Sequence, residues 1–407
     1  MRKRRVVVTG MGAVSPFGTG VLRMVAGMEA GNCALSPIPD EQKIPGIDCH
    51  VAGRVPTPGE VRSIPRELRR TMSPMTIFAY LAAREALAQA GFSPESPLPR
   101  TGVSLGSTMG SGQELEALFS SFIPAGNLDS IRTMTFFKIM AHTAASGIAI
   151  AFGLSGRVIN PVAACAAGLQ GIGLAYETIA FGREDRMLCG GTEEYSPLTT
   201  ATFDKIGAAS HADTAEKSSL PFDRRRTGIV CSEGAGILFL EEREQALARN
   251  STILAEIVGF SSLSSPAGVA SPDAETCAAC MEEALADAGA DLQDVAYVNA
   301  HATATPAGDA AEGKAIEKLW GVRVPTSSLK GYLGHTLAAS GALETSACIA
   351  MMRSGRLLPS RNDFQPDPSC GAIQHARPGQ TLARGLVVKN SFALGGIYSS
   401  LVLAPAS

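Results

Sequence analysis

Short runs rich in Val, Ile and Leu alternate along the chain with Ala-rich stretches of helical length. That alternation predicts an α/β layered fold, in which helices cover a largely buried sheet. Strands are expected at residues 5–9, 101–105, 157–159, 186–189 and 235–240, and again at 253–259, 295–299, 323–326, 385–389 and 397–403. Helices are expected at 76–90, 167–181, 275–288, 310–319 and 338–352. Segments 31–65, 122–142 and 208–226 fit neither pattern and read as ordered covering loops.

The order of elements occurs twice. VVVTGMGAVS at the start resembles AEIVGFSSLS from Ala255, and TGVSLGSTMGSG matches AYVNAHATATPAG by position. The helix after Cys165 matches the helix after His335, and GAGILFLEE matches IYSSLVLAP. Two similar halves are therefore expected, 1–250 and 251–407, joined near the polar EREQALARNS. In such a pair, equivalent helix N-termini face one another and their residues converge.

Composition narrows the function. The 407 residues are 45% hydrophobic and 18% charged, enough for a large core. Lys and Arg number 35 against 38 Asp and Glu, so the net charge of −3 provides no field for nucleic acid or an anionic membrane. Nine cysteines are scattered without a dense framework, Val6 to Val8 is too short for a signal peptide, and no run approaches a membrane span. A cytoplasmic protein with free thiols is the expectation. Forty-three glycines and one Trp point to tight turns and close backbone approaches.

NPVAACAAGLQGIG places Cys165 after a strand and at the start of a helix, where the macrodipole favours a thiolate. A small buried hydrophobe is the alternative for such a Cys. His301 follows an apolar strand in NAHATATPAGD, with Thr303 and Thr305 offering hydroxyls to a polar ligand chain. His335 precedes another Ala/Gly-rich helix, with Lys330 five residues upstream. A Cys and two His at the mouths of equivalent elements form a coherent constellation. Four other signals are weaker. Gly10-Met11-Gly12 evokes a dinucleotide loop but lacks its third glycine. Ser104 lies in a GxSxG pattern with no helix opening promptly after it. Cys277 and Cys280 form a lone CxxC on a helix. Arg224 to Arg226 reads as a solvated face or as a contact for an acidic partner.

The ordered series VVVTGMGAVSPFG, AACAAG, CGGTEEYSPLT, PFDRRRTGIVCSEGAGILFLEE, NAHATATPAGDAAE, LKGYLGHTLAASGALE and NSFALGG resembles the type II β-ketoacyl-acyl-carrier-protein synthases over nearly the whole chain. These are elongating condensing enzymes of the thiolase superfamily. The resemblance implies a five-layered α/β/α/β/α fold from two similar halves and a decarboxylating Claisen condensation. Neither metal nor diffusible cofactor is implied, since substrates ride on the phosphopantetheine of acyl carrier protein. It implies Cys165 as acyl-accepting nucleophile, His301 and His335 completing a Cys-His-His triad, and Lys330 ordering the second His. Thr303 and Thr305 resemble the pantetheine-contacting pair, and Phe392 the flanking aromatic. Asp309, Glu312 and Glu344 fall on acidic positions of structural role. Backbone N–H groups of Cys165 and Leu394 would hold the second oxyanion. The partners implied are acyl carrier protein and a second ketosynthase chain, as homodimer or heterodimer with a Cys-lacking paralogue.

The chain departs from the family pattern in the pocket. Ala393-Leu394-Gly395-Gly396 stands where the family has GFGG, and Ile229 replaces a common aromatic of the acyl pocket. A divergent acyl chain, from a polyketide or polyene pathway, is expected from these changes. A malonyl decarboxylase or chain-length-setting subunit, a CoA-dependent thiolase and a Ser104 hydrolase are the alternatives.

Overall fold

The computed structural model describes residues 3–406 except 41, 42, 94, 95, 97, 213 and 362–364. Its main strands are β1 (Val6–Ser15), β2 (Thr101–Gly106), β3 (Val158–Ile159), β4 (Arg186–Glu193), β5 (Gly234–Glu242), β6 (Ala255–Ser264), β7 (Val295–Asn299), β8 (Pro325–Ser327), β9 (Gln374–His375), β10 (Leu386–Ala393) and β11 (Ile397–Pro405). The principal helices are α1 (Pro74–Gln89), α2 (Gly112–Ala125), α3 (Thr143–Ala151), α4 (Ala167–Ala180), α5 (Ala274–Ala288), α6 (Pro306–Trp320) and α7 (Ser340–Ser354).

The strands join in the order β9-β8-β7-β10-β11-β6-β1-β5-β4-β2-β3. Outward from the β1–β6 seam, β1-β5-β4-β2-β3 in one direction repeats as β6-β11-β10-β7-β8 in the other. Pairing senses repeat too, two antiparallel ladders followed by two parallel ones. The seam is short: only Val6, Val7 and Val8 pair across it, with Ile257, Glu256 and Ala255.

Three helix layers clothe the two half-sheets and make five layers. Helices α1 and α3 cover one outer face, α5 and α6 the other, and α4 and α7 lie between, touching strands of both halves. The largest apolar cluster fills this middle, joining Leu169, Ile172 and Ile179 of α4 to Leu343 and Ile349 of α7. Two further clusters lie beneath the outer layers. Among the described residues no helix is long and apolar enough to cross a membrane.

Several elements run longer than their apolar runs predict. β1 continues through Gly10-Met11-Gly12 to Ser15, so these glycines are not a dinucleotide loop. A Cβ at Gly10 or Gly12 would fall 2.0 or 1.9 Å from the carbonyl oxygens of Ala86 or Ala82 on α1, so glycine lets strand and helix touch. Ser104 is buried within β2 instead of standing at an exposed elbow, and the segment after it does open a helix, α2, capped by Ser111. Within the polar Arg224–Arg226 run, Arg224 and Arg225 are exposed while the third arginine is not. Arg226 is buried and donates to the carbonyls of Asp223, Thr305 and Pro306 and to Asp367, fastening the loop that carries Thr303 and Thr305.

Candidate active site

The two central helices begin alike. A residue with positive φ, Ala164 at 47° or Leu337 at 48°, opens a single 3-10 turn, Ala164–Ala166 or Leu337–Ala339, which leads into α4 or α7. Strain of this kind in a non-glycine backbone persists only where packing enforces it. The two N-termini lean on one another through glycines: a Cβ at Gly168 would meet Ala338 O at 2.1 Å, and one at Gly341 would meet Leu169 N at 2.4 Å. Cys165 lies in the first of these turns. His335 lies just before the second, its N–H bonded to Val230 O at 2.8 Å and its carbonyl accepting from Ser232 N at 3.0 Å.

His301 arrives from the end of β7. Buried Glu312 on α6 accepts its backbone N–H at 2.8 Å, that of Ala302 at 2.7 Å, and Asn390 Nδ2 at 3.0 Å. The first turn of α6 also supplies Asp309, which accepts from Ala304 N at 3.0 Å and Phe222 N at 2.8 Å. Burial pushes Asp309 up to about 7, against the pull of these bonds and Arg226. The result is one compact trio: Cys165 Sγ and a ring nitrogen of each histidine all lie within 4.8 Å of one another. The imidazoles meet edge to face with centroids 5.1 Å apart.

All three groups are dry. Burial, then Lys330 and further cations, holds both histidines well below the ordinary imidazole value, so both rings are neutral. Cys165 is 4% exposed, and burial pushes its thiol up to about 12 despite the opposing charge of Lys330. The thiolate expected from the helix terminus is thus overridden by desolvation. A neutral thiol beside two neutral imidazoles can pass its proton to a neighbour as it attacks. His335 Nδ1 and Nε2 and His301 Nδ1 have no hydrogen-bond partner among the described residues, leaving ring positions for a ligand. The trio also has the donor types of a zinc site. The positive charge nearby opposes a dication there: Lys330 and Lys389 flank a single carboxylate, Glu344.

Family models fit both parts of the chain: Beta-ketoacyl synthase, N-terminal domain, over residues 3–246 and Beta-ketoacyl synthase, C-terminal domain, over 254–363. The chain belongs to the beta-ketoacyl synthase family. It is 36% identical to 3-oxoacyl-[acyl-carrier-protein] synthase 2 of Coxiella burnetii, an alignment covering 99% of each chain. A beta-ketoacyl synthase structure from Burkholderia phymatum STM815 superposes with a TM-score of 0.95 at 39% identity, over 99% of this chain and 100% of that one. The AntDE:AntF complex, a type II PKS acyl-carrier protein with its ketosynthase bound to the hexaketide, superposes at 0.89 with 30% identity, over 99% and 100%. The thiolase-like layered fold is thereby established.

Around the trio, Lys330 is fully buried and its Nζ lies 2.6 Å from Glu344 Oε1. Thr303 and Thr305 stand together with hydroxyls 3.2 Å apart, Thr303 buried and Thr305 half-buried. Phe392 is half-buried near the end of β10 and packs on Tyr398, ring centroids 5.0 Å apart. One residue beyond the strand, Leu394 is 38% exposed in a turn tied down by Gly395 N to Val269 O at 2.7 Å. Ile229 is buried with Tyr195, Cys231 and Phe203, and Phe203 also packs against the Cys165 cluster. Phe203 therefore links Cys165 to Ile229, a role hidden in the polar sequence PLTTATFDK. Glu193 was missed as well. It is buried beside Cys165 and pushed by burial up to about 8.

Proposed function

We propose that this chain catalyses decarboxylating condensation of an acyl group held on Cys165 with a malonyl thioester on acyl carrier protein, extending a fatty-acid or polyketide chain by two carbons. The observation that carries this reading is the buried trio of one thiol and two neutral imidazoles within 4.8 Å. In the first step the Cys165 sulfur bonds the acyl carbon and the carrier thiolate leaves, taking the thiol proton through a neighbouring imidazole. In the second, the malonyl C–CO2 bond breaks and its electron pair moves onto the thioester oxygen, where His301 and His335 N–H donors stabilise it. The enolate carbon then bonds the acyl carbonyl, and the Cys165 thiolate departs and regains a proton.

Thr303 and Thr305 fit the pantetheine arm, and their fastening by Arg226 supports that role. Lys330 acts through its charge and its bond to Glu344. Phe392, Leu394 and Ile229 shape the acyl pocket, Leu394 giving a smaller gate than an aromatic. The division at about 250, nucleophile in 1–250 and both histidines in 251–407, belongs to the same proposal. It is supported by the repeated strand order and the 246–254 boundary between the family models. Carrier protein and a second ketosynthase chain are the proposed partners, in the cytoplasm.

The test incubates the protein with a panel of acyl carriers and malonyl carrier, reading acyl-Cys165 and product by mass spectrometry. Two-carbon-longer 3-oxoacyl products, and loss of the adduct in Cys165→Ala, are expected. Carbon dioxide release with no elongated product, given a Cys165 adduct, would instead favour the decarboxylase reading.

A further inference from the structure

Lys389 has no part in the roles assigned so far. It sits inside β10, fully buried, one residue before Asn390. Its Nζ is 2.7 Å from Glu344 Oε2, an ion pair without hydrogen-bond alignment, while Lys330 Nζ is 2.6 Å from Oε1 of the same carboxylate. Lys389 also donates to the carbonyl of Asn390. Two ammonium groups thus share one acid. A structural ion pair needs only one of them; the second adds desolvation and mutual repulsion.

The surrounding groups offset these two charges only in part. Cys348 of α7 faces Lys389 and is pushed by burial up to about 12, and Tyr297 of β7, facing Glu344 and Cys348, is raised further. Both are neutral. Glu312 of α6 accepts from the N–H groups of His301, Ala302 and Asn390, and it also faces Lys330 and Lys389 and offsets part of their charge, while burial holds its carboxyl above the usual carboxylate range. Glu193 faces Cys165, and burial raises it towards neutrality. The charge of Lys389 is felt, together with that of Lys330, at both imidazoles.

We propose that Lys389 is a further positioning residue of the condensation step, its ammonium adding to that of Lys330 in a positive field at His301 and His335. This rests on the condensation reading above. The charge works twice. It disfavours a proton on either ring, adding to burial and Lys330, so both remain neutral N–H donors. It also favours the negative charge that appears on the thioester oxygen as carbon dioxide leaves, a charge absent when Cys165 is merely acylated by transfer. Acylation should therefore depend on Lys389 much less than condensation does.

Two variants of the full-length protein separate charge from packing. Lys389→Met removes the charge and keeps a long apolar stem; Lys389→Arg keeps the charge. With a saturated acyl carrier and malonyl carrier as probes, Lys389→Met is expected to form acyl-Cys165 within about threefold of the wild-type rate and to condense at least about tenfold more slowly, one pKa unit being tenfold in an equilibrium. Removing a cation makes the rings easier to protonate, so the acid limb of the condensation rate should move up by about one pH unit, and Lys389→Arg should return it. A folded Lys389→Met with wild-type condensation rate and acid limb overturns the proposal. So does equal slowing of acylation and condensation with an unmoved limb. Should Lys389→Met not fold, Lys389→Gln takes its place. A wild-type acid limb already at the ordinary imidazole value, about 6.5, overturns the proposal without any variant. A wild type that never forms acyl-Cys165 refutes the condensation reading instead, before any Lys389 variant is made.

Discussion

Replacing Glu312 by Gln separates a residue that positions His301 from one that only fills the core. Its Oε1 accepts from His301 N and Asn390 Nδ2, and its Oε2 from Ala302 N. A Gln carbonyl can keep two of these donors, but its NH2 then points at the third N–H. Charge-assisted bonds become neutral ones, a loss of about 1 kcal/mol each, and one buried N–H goes unpaired at about 1–3 kcal/mol. Against this, burial holds the Glu312 carboxyl above the usual carboxylate range, so a neutral side chain recovers part of the desolvation cost. The net is about 2 kcal/mol of destabilisation. With unfolding entropy of about 2.1 cal/mol/K per residue, roughly 0.9 kcal/mol/K over 407 residues, Tm should fall by only about 2 °C. Activity should fall far more, because a shift of about 1 Å in His301 costs about a hundredfold. Calorimetry and carrier-based turnover on the same preparation check both numbers. Turnover within about threefold of wild type, alongside the small Tm change, would refute the idea that this carboxylate sets the histidine.

His335→Ala removes one proposed oxyanion donor and should lower condensation by about 10²–10³-fold while acyl-Cys165 still forms, as read by quenched-flow mass spectrometry. Leu394→Phe should cut turnover of rigid or unsaturated acyl carriers relative to saturated ones by about tenfold, a competition assay giving the ratio directly. Saturating acyl carrier should load one acyl group per chain, on Cys165, despite the nine free cysteines. Intact-mass measurement counts it, and a second stoichiometric adduct elsewhere would contradict this.

The repeat was legible because each half keeps the same apolar runs and the same small-residue turns. Cys165, His301 and His335 stood out because each follows or precedes such a turn, and the structure brings all three together. Burial by partners distant in sequence was not legible. Arg226 lies in a run of three arginines that reads as solvated, yet the Thr305 loop and Asp367 enclose it from 79 and 141 residues away. Lys389 looks like the polar position of an alternating strand, but Glu344 lies 45 positions upstream and its charge is already taken by Lys330. The GMG and GxSxG matches, discounted from the sequence, lie within strands, and the reason for their small residues was not legible there. A motif records which residues are small, while only the packing partner, here α1 against β1, shows why they must be.

The duplication also explains why one chain builds one trio. By the register of the repeat, Cys165 corresponds to Ala338 in the second half, His301 to Gly106 in the first, and His335 to Val162. Each half thus carries only what the other lacks. Neither substitution is easily reversed: a Cβ at Gly106 would fall 2.2 Å from Ala167 O, at the start of α4 just after the turn that presents Cys165, and Val162 is 54% exposed. Close contact of Gly168 with Ala338 and of Gly341 with Leu169 brings the two helix N-termini to a single point. The thiol comes from one terminus and an imidazole from just before the other. Burial at that point raises the thiol and neutralises the rings together. In the condensation proposed above, such a pair would exchange a proton only as an acyl thioester is attacked, which would favour that bond over water or stray electrophiles.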